Sequence, residues 1–153
     1  MTIIIAIEGV LMTEKGDPIP EGLKLYRTLV PNYRVVVASD TTFEKASYWL
    51  KTNFVVGYAD ILDNTHAYPG IDLRERHIQS EQQKGRVEFL VEADADRCAR
   101  GLAIGVPSLY FATPKFVRTK REIKRWDLLT EELAKQREQV ADTYVGSNLH
   151  RWE

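Results

Sequence analysis

Ile3-Ile4-Ile5-Ala6-Ile7 runs without polar interruption into Glu8 and Gly9, and then into Val10-Leu11. A strand with one face in water alternates apolar and polar residues, whereas a strand apolar at every position is buried on both faces, as in the centre of a parallel sheet. That constrains the fold strongly. Both faces of the sheet need helices, and the run delivers the Glu8 carboxylate to the carboxyl edge, where open α/β sheets keep their ligands.

The rest of the chain supplies strands and helices in alternation. Lys15-Gly16-Asp17-Pro18 sits between short apolar pieces and predicts a small β-hairpin flap over 10–19. Pro20 opens a helix to about Leu29, with Leu23, Tyr26 and either Leu29 or Val30 on one stripe, and Pro31 ends it. A second strand is predicted over 34–38, followed by Ser39-Asp40-Thr41-Thr42, where Thr41 and Glu44 make a capping-box pattern for a helix through Leu50. A brief third strand is expected over 54–58 near the sheet edge, because it carries Gly57. Irregular structure follows over 60–70, with Asp63-Asn64 and Pro69-Gly70 as turn signals. A charged helix over 73–83, a fourth strand over 87–91, a helix over 97–104 and a fifth strand over 108–111 complete an alternation that implies right-handed crossovers.

Beyond the fifth strand the character changes. The stretch 113–125 is basic, through Lys115, Arg118, Lys120, Arg121, Lys124 and Arg125, and reads either as a solvated connector or as an anion-contacting patch. Asp127 caps an expected final helix in which Leu129, Leu133, Gln136, Val140 and Tyr144 share a stripe suited to packing on the sheet. The stretch 145–153 is a tail with Leu149 and Trp152. One domain over 1–144 suffices for a chain of 153 residues.

Charge and composition exclude several function classes. With 21 basic and 22 acidic side chains there is no overall electrostatic case for nucleic acid or an anionic membrane. No apolar run approaches the ~18–20 residues of a membrane span, and the start MTIII lacks the flank of a signal peptide, so a cytoplasmic protein is expected. The lone Cys98 fits a reducing compartment and reads as a buried filler. His66, His77 and His150 have no zinc-ligand spacing.

The strand ends resemble the motifs of the haloacid dehalogenase-like (HAD) phosphatases over about residues 3–111. The family's first motif is a hydrophobic strand followed by Asp-x-Asp-Gly-Val/Thr-Leu; here Ala6 stands at the nucleophile position and Glu8 at the acid/base position. Ser39 matches the phosphate-holding hydroxyl of the second motif, Lys84 the lysine of the third, and Glu92 with Asp96 the acidic pair that serves Mg²⁺ in the fourth. GYADILDN and VEADAD are further similar to small HAD-like proteins of actinobacterial viruses, which would place the chain in a host cytoplasm. The resemblance implies a Rossmann-like three-layer α/β domain with a mostly parallel five-stranded sheet in the order 5-4-1-2-3, a hairpin flap and no large cap.

Activity is another matter. In the family one carboxylate attacks phosphorus and a second, two residues on along the same strand face, protonates the leaving group. A methyl group at Ala6 does neither, and Glu92 without a partner at position 6 is a weak Mg²⁺ ligand. The expectation is a degenerate, catalytically impaired protein that binds a phosphorylated small molecule or a protein partner. Two alternatives stand beside it: a Mg²⁺-dependent phosphatase or nucleotidase using Glu8 as a noncanonical acid, and a structural or assembly protein that contacts partners or other copies through the final helix and tail. Each residue also has a plain structural role open to it: Ser39 in a turn, Glu8 as a loop partner, Lys84 as a solvated helix-end cation.

Overall fold

A computed structural model describes residues 1–112. The expected final helix, the basic stretch, the tail and His150 lie outside the described residues. Five strands form one sheet in the order β3-β2-β1-β4-β5, all parallel: β1 (Thr2–Ala6), β2 (Arg34–Ala38), β3 (Asp60–Leu62), β4 (Val87–Glu92) and β5 (Ser108–Tyr110). Four α-helices connect them: α1 (Pro20–Leu29), α2 (Phe43–Thr52), α3 (Leu73–Gln82) and α4 (Ala95–Ala103). The expected strand order is the observed one, and β1 is central and wholly buried.

The register sorts the core into two layers. Ile61, Val37, Ile5, Val91 and Leu109 are successive partners across all five strands on one face, where Leu23 and Tyr26 of α1 and Ala46 and Leu50 of α2 pack. Val36, Ile4 and Leu90 face the other way, against Ile78 of α3. Gly101 of α4 lies so close to Ser108, Leu90 and Ile78 on that second face that a side chain there would collide with the Ser108 hydroxyl.

The flap exists as a hairpin closed by a single antiparallel bridge between Met12 and Pro18. Its tip is tied down where Trp49 Nε1 donates to the Gly16 carbonyl at 2.7 Å. Its base rests on α1, because a Cβ at Gly22 would overlap the Val10 carbonyl.

Three local expectations are corrected. The third strand is Asp60–Leu62, inside the stretch expected to be irregular, and not 54–58. Phe54 takes a left-handed φ of 56° and Gly57 a φ of 92°, which break the extended run, while Val55 turns into the core and leaves Phe54 83% and Val56 73% exposed. The cap of α2 is Thr42, whose side chain accepts from the Lys45 amide, because the Thr41 hydroxyl is engaged by Ser39. Finally, α4 starts two residues earlier than expected, at Ala95, since Asp94 caps it by accepting from the Asp96 and Arg97 amides.

Candidate functional site

Parallel strands joined by antiparallel helices bring all strand carboxyl ends, and the amino termini of the following helices, to one edge. Ala6, Ala38 and Glu92 end β1, β2 and β4 there. Glu8 Oε1 accepts from Ser39 Oγ at 2.7 Å and from the Asp40 amide at 3.0 Å. Because the single Ser39 proton goes to Glu8, the Thr41 hydroxyl 2.8 Å away is the donor of its contact, and the Thr41 amide donates to the same oxygen. The Ser39 hydroxyl is fully committed. Glu8 Oε2 is buried and has no protein partner among the described residues.

Beside this carboxylate lies a chain of alternating charges. Glu92 is 2% exposed and accepts from Arg74 Nε at 2.7 Å and from the Ala93 amide at 2.8 Å. Burial pushes the Glu92 carboxyl above its ordinary range, against the pull of the Arg74 charge. Arg74, 1% exposed, also reaches Asp40 Oδ1 at 3.2 Å and His77 Nδ1 at 2.9 Å. Asp40 in turn accepts from Arg97 Nη1 at 2.9 and 3.1 Å, and Arg97 Nε reaches Asp72, the cap of α3. Desolvation opposes the Arg97 charge, but Asp40 and Asp72 outweigh it and hold the group above its ordinary value.

Arg74 fixes the state of His77. A guanidinium only donates, so Nδ1 accepts and the ring proton sits on Nε2, donating to the Asp63 carbonyl at 2.7 Å. Burial, then the adjacent Arg74 charge, pushes His77 down to about 3. His77 is therefore neutral at physiological pH.

The sequence-predicted residues divide cleanly. Ala6, Glu8, Ser39 and Glu92 converge on the carboxyl edge. Asp96 sits near it in the first turn of α4, but it is exposed and paired with Arg100 at 2.8 Å on its own helix. Lys84 lies at the opposite, amino edge, where it faces Glu81 at 3.0 Å and Asp60 at 3.8 Å. Among the described residues, the cations paired with the acids of the carboxyl edge are Arg74 and Arg97. The sequence held a signal for Arg74: α3 offers only Leu73 and Ile78 as apolar residues, too few for a buried stripe, so charged residues at helical spacing had to turn inward. They are Arg74, His77 and Glu81, flanking Ile78. Cys98 is buried, and burial pushes its thiol up to about 12, so it is inert.

Mg²⁺ is a poor match to this donor set. It favours carboxylate oxygens and waters in octahedral geometry. Both Glu92 oxygens are engaged, Asp40 answers two arginines, and Ala6 has no side-chain oxygen to give, which leaves Glu8 Oε2 alone among the site carboxylates as a buried oxygen with no partner among the described residues.

No family model matches the chain, and neither does any curated protein. Among solved structures, the chain is similar to an uncharacterized protein from Corynebacterium glutamicum ATCC 13032 Kitasato, at 17% identity with a TM-score of 0.53, over 84% of this chain and 93% of that one. That likeness shows a common fold.

Proposed function

We propose that this chain is a degenerate HAD-like domain that acts by binding and does not hydrolyse phosphate esters. The observation that carries the reading is the charge network Glu92–Arg74–Asp40–Arg97–Asp72 beside the methyl group of Ala6. A phosphoryl-transfer site needs a nucleophile and cations free to meet developing negative charge. Here the nucleophile position is a methyl, and both arginines are answered by carboxylates of the protein itself. A phosphorylated ligand would have to displace Asp40 or Glu92, so contact through the rim of this edge, with a protein partner, fits it better. The buried lone thiol suits the reducing cytoplasm.

A second reading keeps one observation in its favour. Glu8 Oε2, without a partner among the described residues, is what a water-activating base at the strand end would present. Hydrolysis of a broad phosphate-ester panel, with and without Mg²⁺, separates the two. The binding reading expects no turnover above buffer; Mg²⁺-dependent turnover lost in Glu8→Gln supports the enzyme.

A further inference from the structure

The two faces of the sheet are unequally covered. On the second face α3 and α4 follow the sheet out to β5, where Gly101 meets Ser108. On the first face α1 and α2 cover β1, β2 and β3, and the row Ile61, Val37, Ile5 and Val91 is buried. The same row ends on β5 in Leu109, which is 49% exposed. Phe89 of β4 and Phe111, just past β5, are only partly buried beside it. At the other end of the row, Ile61 on the β3 edge is 7% exposed, beneath the cluster that holds Leu50 and Val55. Among the described residues, the first face is thus left open at its β5 end, at Leu109 with the partly buried Phe89 and Phe111 beside it.

We propose that the stretch 127–144 of this same chain covers that open row as a helix, with Leu129, Leu133, Val140 and Tyr144 against Leu109, Phe89 and Phe111. Three observations support this occupant. The stretch carries one apolar stripe at helical spacing with Glu131 and Glu138 opposite, which is the pattern of a helix needing one partner face. It follows β5 directly in the chain, and the residues between Ala112 and Asp127 reach up to roughly 45–50 Å when extended, against about 10 Å from sheet to helix layer. Tethering at that range gives the segment an effective concentration near the millimolar scale, which favours it over a second copy at cellular dilution. A helix seated there antiparallel to β5 begins at the carboxyl edge. The basic run 113–125 would then stay beside the candidate site, near Asp94 and Asp96.

The test uses the full chain in a Cys98→Ala background. Leu109→Cys is combined in turn with Leu129→Cys, Leu133→Cys, Val140→Cys or Tyr144→Cys, and with Glu131→Cys or Glu138→Cys as controls. On mild oxidation, at least one stripe pair should close an intramolecular disulfide in the monomer, with none above background in the controls. Closure only between chains would assign the face to a second copy and overturn the proposal, as would no closure at any stripe position or equal closure in the controls. Amide hydrogen exchange of the unaltered chain gives an independent reading. The stretch 129–144 should be protected to a degree comparable with α1, and free exchange there would overturn the proposal even if the cysteine variants fail to fold.

Discussion

The amino and carboxyl edges of this sheet both hold a buried acid paired with arginine, yet only one resembles a functional site. At the amino edge, Glu81 takes Arg34 at 2.6 Å and Lys84 at 3.0 Å, and both cations extend into solvent. At the carboxyl edge, Glu92 takes Arg74 at 2.7 Å, and the arginine is buried with its acid. Helix α3 supplies both edges, Arg74 from its first turn and Glu81 from its last. The difference teaches that a buried acid–arginine pair is scaffolding in itself. The carboxyl edge stands apart through committed hydroxyls, helix amino termini and Glu8 Oε2, a buried carboxylate oxygen with neither hydrogen bond nor ion pair among the described residues, whereas Glu81 Oε2 keeps Lys84.

The largest expected effect follows from burial. Arg74→Met strands the buried Glu92, while Asp40 keeps Arg97, and should cost about 3–5 kcal/mol in urea unfolding, because removing one member of a buried pair leaves the other uncompensated. Arg34→Met at the amino edge should cost only about 1–2 kcal/mol, since Lys84 still answers Glu81 and the arginine is partly solvated. Equal losses would erase the distinction between the edges.

The edges should also separate by pH. His77 at about 3 lies far below its ordinary 6.5, so the unfolded chain binds the extra proton between those values. Its contribution is complete above pH 6.5 and is lost as pH falls through that window toward 3. Glu92, raised by burial, acts with the opposite sign: its contribution is present below the ordinary 4.5 and lost as pH rises through its folded value. The difference in stability between the unaltered chain and His77→Gln isolates the histidine. That difference should grow with pH by up to about 1.4 kcal/mol per unit below pH 6.5. At the amino edge Glu81 is held below its ordinary 4.5, so its contribution is present above pH 4.5 and fades only as pH falls beneath it. A flat difference curve for His77→Gln would mean the ring is not held neutral by burial and the neighbouring Arg74 charge.

Lys84→Met should matter least, about 0.5 kcal/mol or below, as expected for a half-exposed partner of an acid that keeps Arg34. It should leave any carboxyl-edge property unchanged.

Lys84 also shows where the sequence misleads. It stands before β4 in the chain, where the resemblance puts the lysine of the third motif. A crossover helix runs antiparallel to its strands, so residues at its end arrive at the amino edge and only its first turn reaches the carboxyl edge. The cation therefore comes from Arg74, eighteen residues before Glu92. The central strand, β2, β4 and their order were legible, because continuous apolar runs have few other places to go. The third strand was not, since Phe54-Val55-Val56 has strand composition while its left-handed Phe54 and Gly57 and the burial of Val55 alone depend on tertiary packing. Ala6, Glu8, Ser39 and Glu92 were placed together by strand ends; the arginines and Asp40 that neutralise one another were invisible without the helix geometry.

The most direct test of a charge-saturated edge is to follow the Nε–H resonances of Arg74 and Arg97 by NMR while Mg²⁺, inorganic phosphate and then both are added. Arg74 Nε should stay bonded to Glu92, and Arg97 should stay on Asp40 and Asp72, with no shift in either resonance beyond a control of matched ionic strength. A saturable shift of Arg74 or Arg97 with phosphate would show that the edge opens to a phosphoryl group, and would contradict the account.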